Sequence, residues 1–241
     1  MKRIKVISAV LCMSLIAAGC TAHQTAPASE PQDTTAAETA VESAPAHQVQ
    51  VEDLQKTTLS NGTSEYTSAI PKLIVDGVEA TAINAELSDF VQKNYPLEQN
   101  GDYVDGYETR YSWGVKDNTV SIVIAASAVC EDYFTCEVFN YDVETLTALE
   151  DTEVAKRLGM TDDDFFNKTA DILNANYNGN PDIDLEKSIA QIDYINITPF
   201  ITPDGEPGVA LCFYYAVGSQ FSGMESMRCF NMSTMERISI G

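Results

Sequence analysis

From Tyr107 to Val115, every second residue is aromatic, β-branched or apolar: Tyr107, Thr109, Tyr111, Trp113, Val115. Glu108, Arg110, Ser112 and Gly114 fill the gaps. A period of two marks a strand with one buried face, because helical apolar residues recur at three and four. Lys116-Asp117-Asn118-Thr119 supplies a turn into a second, more apolar strand over 120–129. A third strand over 134–142 completes an antiparallel meander.

The flanks add helices. Residues 64–75 read as extended, with Pro71 confining the segment to a sheet edge or bend. Val78, Ala82, Ile83, Leu87, Phe90 and Val91 then recur near helical spacing, which predicts a helix over 78–94 ending before Tyr95-Pro96. A short helix starts near Asp151 and stops at Gly159. Thr161 caps a longer one through Phe165, Phe166, Ala170, Ile172 and Leu173. A polar loop over 174–186 leads to another short helix, and strands over 194–201, 208–217 and 226–232 follow, the first two joined by Pro203-Asp204-Gly205. The expectation is an α+β fold of antiparallel sheets with packed helices, in two small lobes, 59–129 and 130–241.

The first 58 residues are of another kind. Lys2, Arg3 and Lys5 precede an apolar stretch from Val6 to Ala18, the two parts of a secretory signal. Gly19-Cys20 closes it like a bacterial lipobox, although Ala17 stands where such boxes usually carry a larger aliphatic. Residues 1–19 are therefore expected to be a lipoprotein signal peptide, and Cys20 the lipidated N-terminus. Residues 21–50 contain only Val41 and Val49 as large aliphatics, so 20–58 reads as a disordered tether. The placement expected is the extracytoplasmic face of a cell membrane, held there by lipid.

Without Lys2, Arg3 and Lys5, the 14 Lys+Arg fall to 11 against 36 Asp+Glu, a formal charge of −25. That charge repels phosphate backbones and excludes nucleic acid as a partner. It attracts cations and basic proteins.

The only histidines, His23 and His47, precede the folded region. Without a histidine there, Ser-His-Asp and Cys-His nucleophiles and histidine-containing zinc sites are ruled out. Neither HExxH, GxSxG, a Walker loop nor GxGxxG occurs. Asp162, Asp163 and Asp164 suit a helix first turn better than a metal site. The 174–186 loop starts on Asn174 and puts Leu185 where a calcium loop needs its bidentate Glu. No catalytic residue, metal or cofactor is expected. Paired carboxylates cutting a glycosidic bond are the enzymatic alternative.

Cys130, Cys136, Cys212 and Cys229 form an even set for an oxidising compartment. The strand reading prefers Cys130–Cys136 across a connection and Cys212–Cys229 across the last hairpin. Buried thiols or a metal site are alternatives, although the CxxxxxC spacing matches no common zinc knuckle.

Several short segments, in order along 64–232, resemble the extracytoplasmic region of RsiV-like proteins and related envelope polysaccharide deacetylases. Tyr66-Thr-Ser-Ala-Ile-Pro71-Lys-Leu73 is similar to the opening strand, and Ile83-Asn84 to the start of its helix. Phe139-Asn140-Tyr141-Asp142-Val143-Glu144-Thr145-Leu146-Thr147 is similar to an Asn-Tyr-Asp run, turn and Leu-Thr pair. The helix through Phe165–Leu173 and the Asp204-Gly205 hairpin follow in the expected order. The sequence shows neither the sigma-binding segment and membrane helix nor the deacetylase domain of those relatives. Cys130–Cys136 also replaces a Gly-Gly-Ala-His-like stretch. The resemblance implies an α+β envelope module, with lysozyme sensing known in one branch.

The expected function is noncatalytic binding or sensing, of a cationic, lysozyme-like protein or of cell-wall glycan. A carboxylate-dependent hydrolase and an architectural lipoprotein are the alternatives. The surface to probe is Tyr103, Tyr107, Tyr133 and Phe134 beside Glu131 and Asp132.

Overall fold

The computed structural model describes residues 47–129 and 134–241. It opens on β1 (Val49–Ser60), antiparallel to β2 (Glu65–Val75). Residues 49–58, expected within the tether, are thus a sheet strand. Glu52, Asp53, Gln55 and Lys56 hide it, since β1 is an end strand with most side chains in solvent. Pro71 faces Asp53 where β1 shifts register. A bulge is a position where a strand tolerates the missing proline N–H.

Short β3 (Val78–Glu79) turns the chain into helix α1 (Thr81–Asn94), so Val78 is exposed and not on the helix. Ile83, Leu87 and Val91 form the buried stripe of α1. Next come β4 (Leu97–Asn100), β5 (Tyr103–Lys116), β6 (Thr119–Ala128), β7 (Phe134–Asp142) and β8 (Thr147–Ala148). The first sheet runs β1-β2-β5-β6-β7-β8, with β3 on β2 and β4 on β5. One junction is parallel, Ser68 on β2 beside Thr109 on β5. The buried Thr109 hydroxyl meets Ser68 Oγ at 2.9 Å and binds both the N–H and the carbonyl of Ala69 at 3.0 Å.

The expected lobe boundary at 129/130 falls between β6 and β7, neighbours in this one sheet. The described residues fall within one compact unit. The meander buries both of its faces, so cutting it would expose each.

Helices α2 (Asp151–Arg157), α3 (Asp162–Tyr177) and α4 (Leu185–Ala190) lead to the second sheet. Its strands β9 (Ile197–Ile201), β10 (Pro207–Tyr214), β11 (Glu225–Asn231) and β12 (Arg237–Ile238) run β12-β11-β10-β9. Thr161 accepts from the Asp164 N–H at 3.2 Å while Asp164 accepts from the Thr161 hydroxyl at 2.7 Å, a reciprocal cap that accounts for this aspartate.

Register fixes the layers, because side chains on directly opposed residues share a face. Trp113, Ile122 and Phe139 form one row of the first sheet and pack toward α1. Val123, Ala125, Cys136 and Val138 point the other way, onto Phe200, Ala210, Met227 and Cys229 of the second sheet. Val209, Leu211 and Phe213 face Phe165, Ile172 and Leu173 of α3. The order is helix, sheet, sheet, helices.

The sheets approach closely. A Cβ on Gly114 would sit 2.0 Å from the Thr202 carbonyl oxygen, so only glycine fits there. Ser121 donates to Asn140 Oδ1 at 2.6 Å and accepts the Ile201 N–H at 2.8 Å, while Asn140 Nδ2 donates to the Pro199 carbonyl at 2.9 Å. Two side chains of the first sheet thereby satisfy backbone groups on β9, the end strand of the second.

Candidate functional site

The β4–β5 hairpin carries the exposed side chains of greatest interest. Tyr103, near its tip, is 78% exposed, and Glu98, Asp102 and Asp105 around it are also in solvent. Gly106 shapes the base. Its φ is +100°, and a Cβ there would lie 1.9 Å from the Pro96 carbonyl oxygen. Tyr107 donates its N–H to that same carbonyl at 2.9 Å.

Beside the hairpin base, where α1 ends, β1, β2 and α1 enclose a small open cavity of about 160 Å³. Gln55, Thr57, Ser68 and Gln92 supply amides and hydroxyls, and Tyr95 and Pro96 supply a flat apolar wall. Glu98 is the one carboxylate residue lining it. The Tyr95 ring is held edge-on between Phe90, 5.7 Å away, and Tyr107, 5.3 Å away. Phe139 continues the row, 5.0 Å from Phe90. Such edge-to-face contacts fix ring orientation. Amides, a hydroxyl and a rigid aromatic can hold a polar group against an apolar face.

The sequence-predicted surface divides. Tyr103 and Tyr107 share the hairpin, with Tyr107 half-buried against Tyr95. Phe134 does not join them. It opposes Ser127, which opposes Glu108, whereas Tyr107 opposes Ala128, so Phe134 and Tyr107 lie on opposite faces of the sheet. The Phe134 ring instead lies under the Arg228 guanidinium, 4.4 Å away, at the junction with the second sheet. Glu131, Asp132, Tyr133, Cys130 and Cys20 lie outside the described residues.

The preferred Cys212–Cys229 pairing meets the observed register badly. Cys212 faces Met227, and Cys229 faces Ala210. Cys229 lies instead beside Cys136, with 3.4 Å between sulfurs.

The residues that carry the family resemblance have structural work. Asn84 accepts the Leu73 N–H at 2.7 Å and donates to the Leu73 carbonyl at 3.1 Å, joining α1 to β2. Asn140 joins the sheets, and buried Tyr141 donates to Glu86 of α1. Burial and the neighbouring Glu86 carboxylate push the Tyr141 hydroxyl far above its ordinary pKa. Asp142 accepts from the Thr145 N–H at 2.9 Å and pairs with Arg157 at 2.8 Å. Burial alone would raise the Asp142 carboxyl, but the Thr145 and Arg157 hydrogen bonds outweigh it and hold the group below the usual carboxylate range.

Among the described residues, no cluster of three His, Cys, Asp or Glu could hold a metal ion, and no helix is long and apolar enough to cross a membrane. Gln55 carries no local signal of the cavity, because it reaches Gln92, Tyr95 and Glu98 only through the pairing of β1 with β2. The Tyr95-Pro96 helix stop was the only local mark of the cavity. A scan against protein-family models and a search of curated proteins found no match to this chain.

Proposed function

We propose that this protein is a noncatalytic, lipid-anchored extracytoplasmic binding or sensing module whose contact surface is the β4–β5 hairpin and the cavity at its base. The observation that carries the reading is Tyr103, 78% exposed and flanked by the exposed carboxylates Asp102 and Asp105. An exposed aromatic among carboxylates suits a basic protein, since the ring supplies contact area and cation–π attraction while the acids steer the approach. A lysozyme-like cationic protein is the favoured ligand class. The resemblance to RsiV-like proteins points the same way.

Cell-wall glycan is the second reading, carried by Gln55, Gln92, Thr57 and Tyr95 around the cavity. The volume of about 160 Å³ suits a chain end or one substituent, being below the roughly 300 Å³ where small-molecule pockets usually begin. The hydrolase alternative needs a second carboxylate across that cavity. The architectural alternative predicts no soluble ligand.

The test is binding of a soluble form starting at residue 21 to lysozyme and to an equally basic control protein, across a salt series. Binding to lysozyme that exceeds the control, persists at physiological salt and falls at least tenfold in Tyr103→Ala supports the proposal. Equal binding that vanishes with salt reduces the effect to bulk charge. Failure to bind lysozyme at low salt, with retention on peptidoglycan fragments, moves the assignment to glycan.

A further inference from the structure

Strands β7 and β11 belong to different sheets, yet they bring Cys136 and Cys229 together with sulfurs 3.4 Å apart. Both residues are buried, 0% and 2% exposed. Small neighbours allow the approach: Cys136 lies opposite Ala125 in its sheet, and Cys229 opposite Ala210 in the other. Cys212 shares the same buried cluster but stands diagonally from Cys229, because it faces Met227. Diagonal neighbours on paired strands are about 7–8 Å apart, too far for a disulfide without backbone movement.

We infer that Cys136 and Cys229 form a disulfide that joins the two sheets. A disulfide bond is about 2.05 Å long, so closure brings the sulfurs together by roughly 1.3 Å from their 3.4 Å separation. The oxidant is itself a disulfide, oxidised glutathione or a CxxC oxidoreductase. One cysteine thiolate attacks it, forming a mixed disulfide and releasing one reduced thiol. The second protein cysteine then displaces the other sulfur, so two electrons and two protons pass to the oxidant as its S–S bond is exchanged for Cys136–Cys229. The hydrogen bond to Cys229, together with burial, raises the Cys136 thiol well above its ordinary range. The folded Cys136 thiol is thus a poor nucleophile and both residues are buried, so bond formation belongs to folding, when both sulfurs are still accessible. The pairing goes beyond the binding reading. It needs extracytoplasmic placement only to meet an oxidant in the cell, so it stands or falls separately in vitro.

The full chain, reduced and unfolded, is refolded in a glutathione buffer, its remaining thiols are alkylated, and the product is cut with glutamate-specific protease and trypsin. Cleavage after Glu131 separates Cys130 from Cys136, so each linkage gives a distinct peptide pair. The expected product joins peptide 132–137 to the peptide beginning at Cys229 and is two hydrogens lighter than the reduced pair. Alkylated Cys136 and Cys229, or bonds from Cys136 to Cys130 or Cys229 to Cys212, overturn the inference.

The bond would join residues 93 apart in sequence. Oxidised protein should therefore melt on the order of 5–10 °C above reduced protein. Cys212→Ala should keep that difference and Cys229→Ser should abolish it. The reverse pattern overturns the pairing.

Discussion

Single side chains hold this molecule together where the sheets meet, and Asn140 shows how. It is 5% exposed, and its amide contacts Ser121 on one side and the Pro199 carbonyl on the other. Asn140→Ala leaves those buried partners unsatisfied and should cost about 2–3 kcal/mol, read as a lower urea midpoint at unchanged slope. Asp142 adds a pH dependence. Its folded pKa is depressed, so its contribution is full above the ordinary aspartate value of about 3.9 and is lost as pH falls through the folded value. Asp142→Asn should be less stable than wild type at neutral pH, with the two curves in urea titrations converging as pH falls below the ordinary aspartate range and through the depressed folded value. The Phe139–Thr147 run was conspicuous in the sequence as a family resemblance, but its reasons were not. Asn140 spans between sheets, and Tyr141 reaches α1, across distances that local pattern does not encode.

Elements with a clean period were legible, and those without one were not. The meander, α1, the short helix α2 and the Thr161-capped α3 follow directly from alternation, helical spacing and capping chemistry. β1 does not, because Glu52-Asp53-Leu54-Gln55-Lys56 has neither a strand period nor a strand composition. Pairing with β2 overrides that weak local preference, as it commonly does for strands at a sheet end. The cavity was lost with it, since Gln55 and Thr57 come from β1. A chain starting at residue 61 should therefore leave the β2 amides unprotected in hydrogen exchange, while a chain starting at residue 44 should keep them protected. Equal protection in both would mean that β1 is dispensable to the sheet.

At the scale of the whole molecule, the sandwich unites what the sequence divided. The expected lobe boundary at 129/130 runs between two neighbouring strands, because β6 and β7 pair across it. The same arrangement decides how copies of the protein meet. An unpaired strand end invites another chain to extend the sheet, which is a hazard for any protein crowded on a surface. On β9, the Pro199 carbonyl and the Ile201 N–H are already taken by Asn140 and Ser121, so that edge offers a neighbour fewer backbone partners. On β1, the bulge at Leu54 and the exposed charges of Glu52, Asp53 and Lys56 disrupt the flat template that intermolecular pairing needs. Neither β1 nor β9 therefore offers a second copy the flat, open row of backbone groups that sheet extension requires.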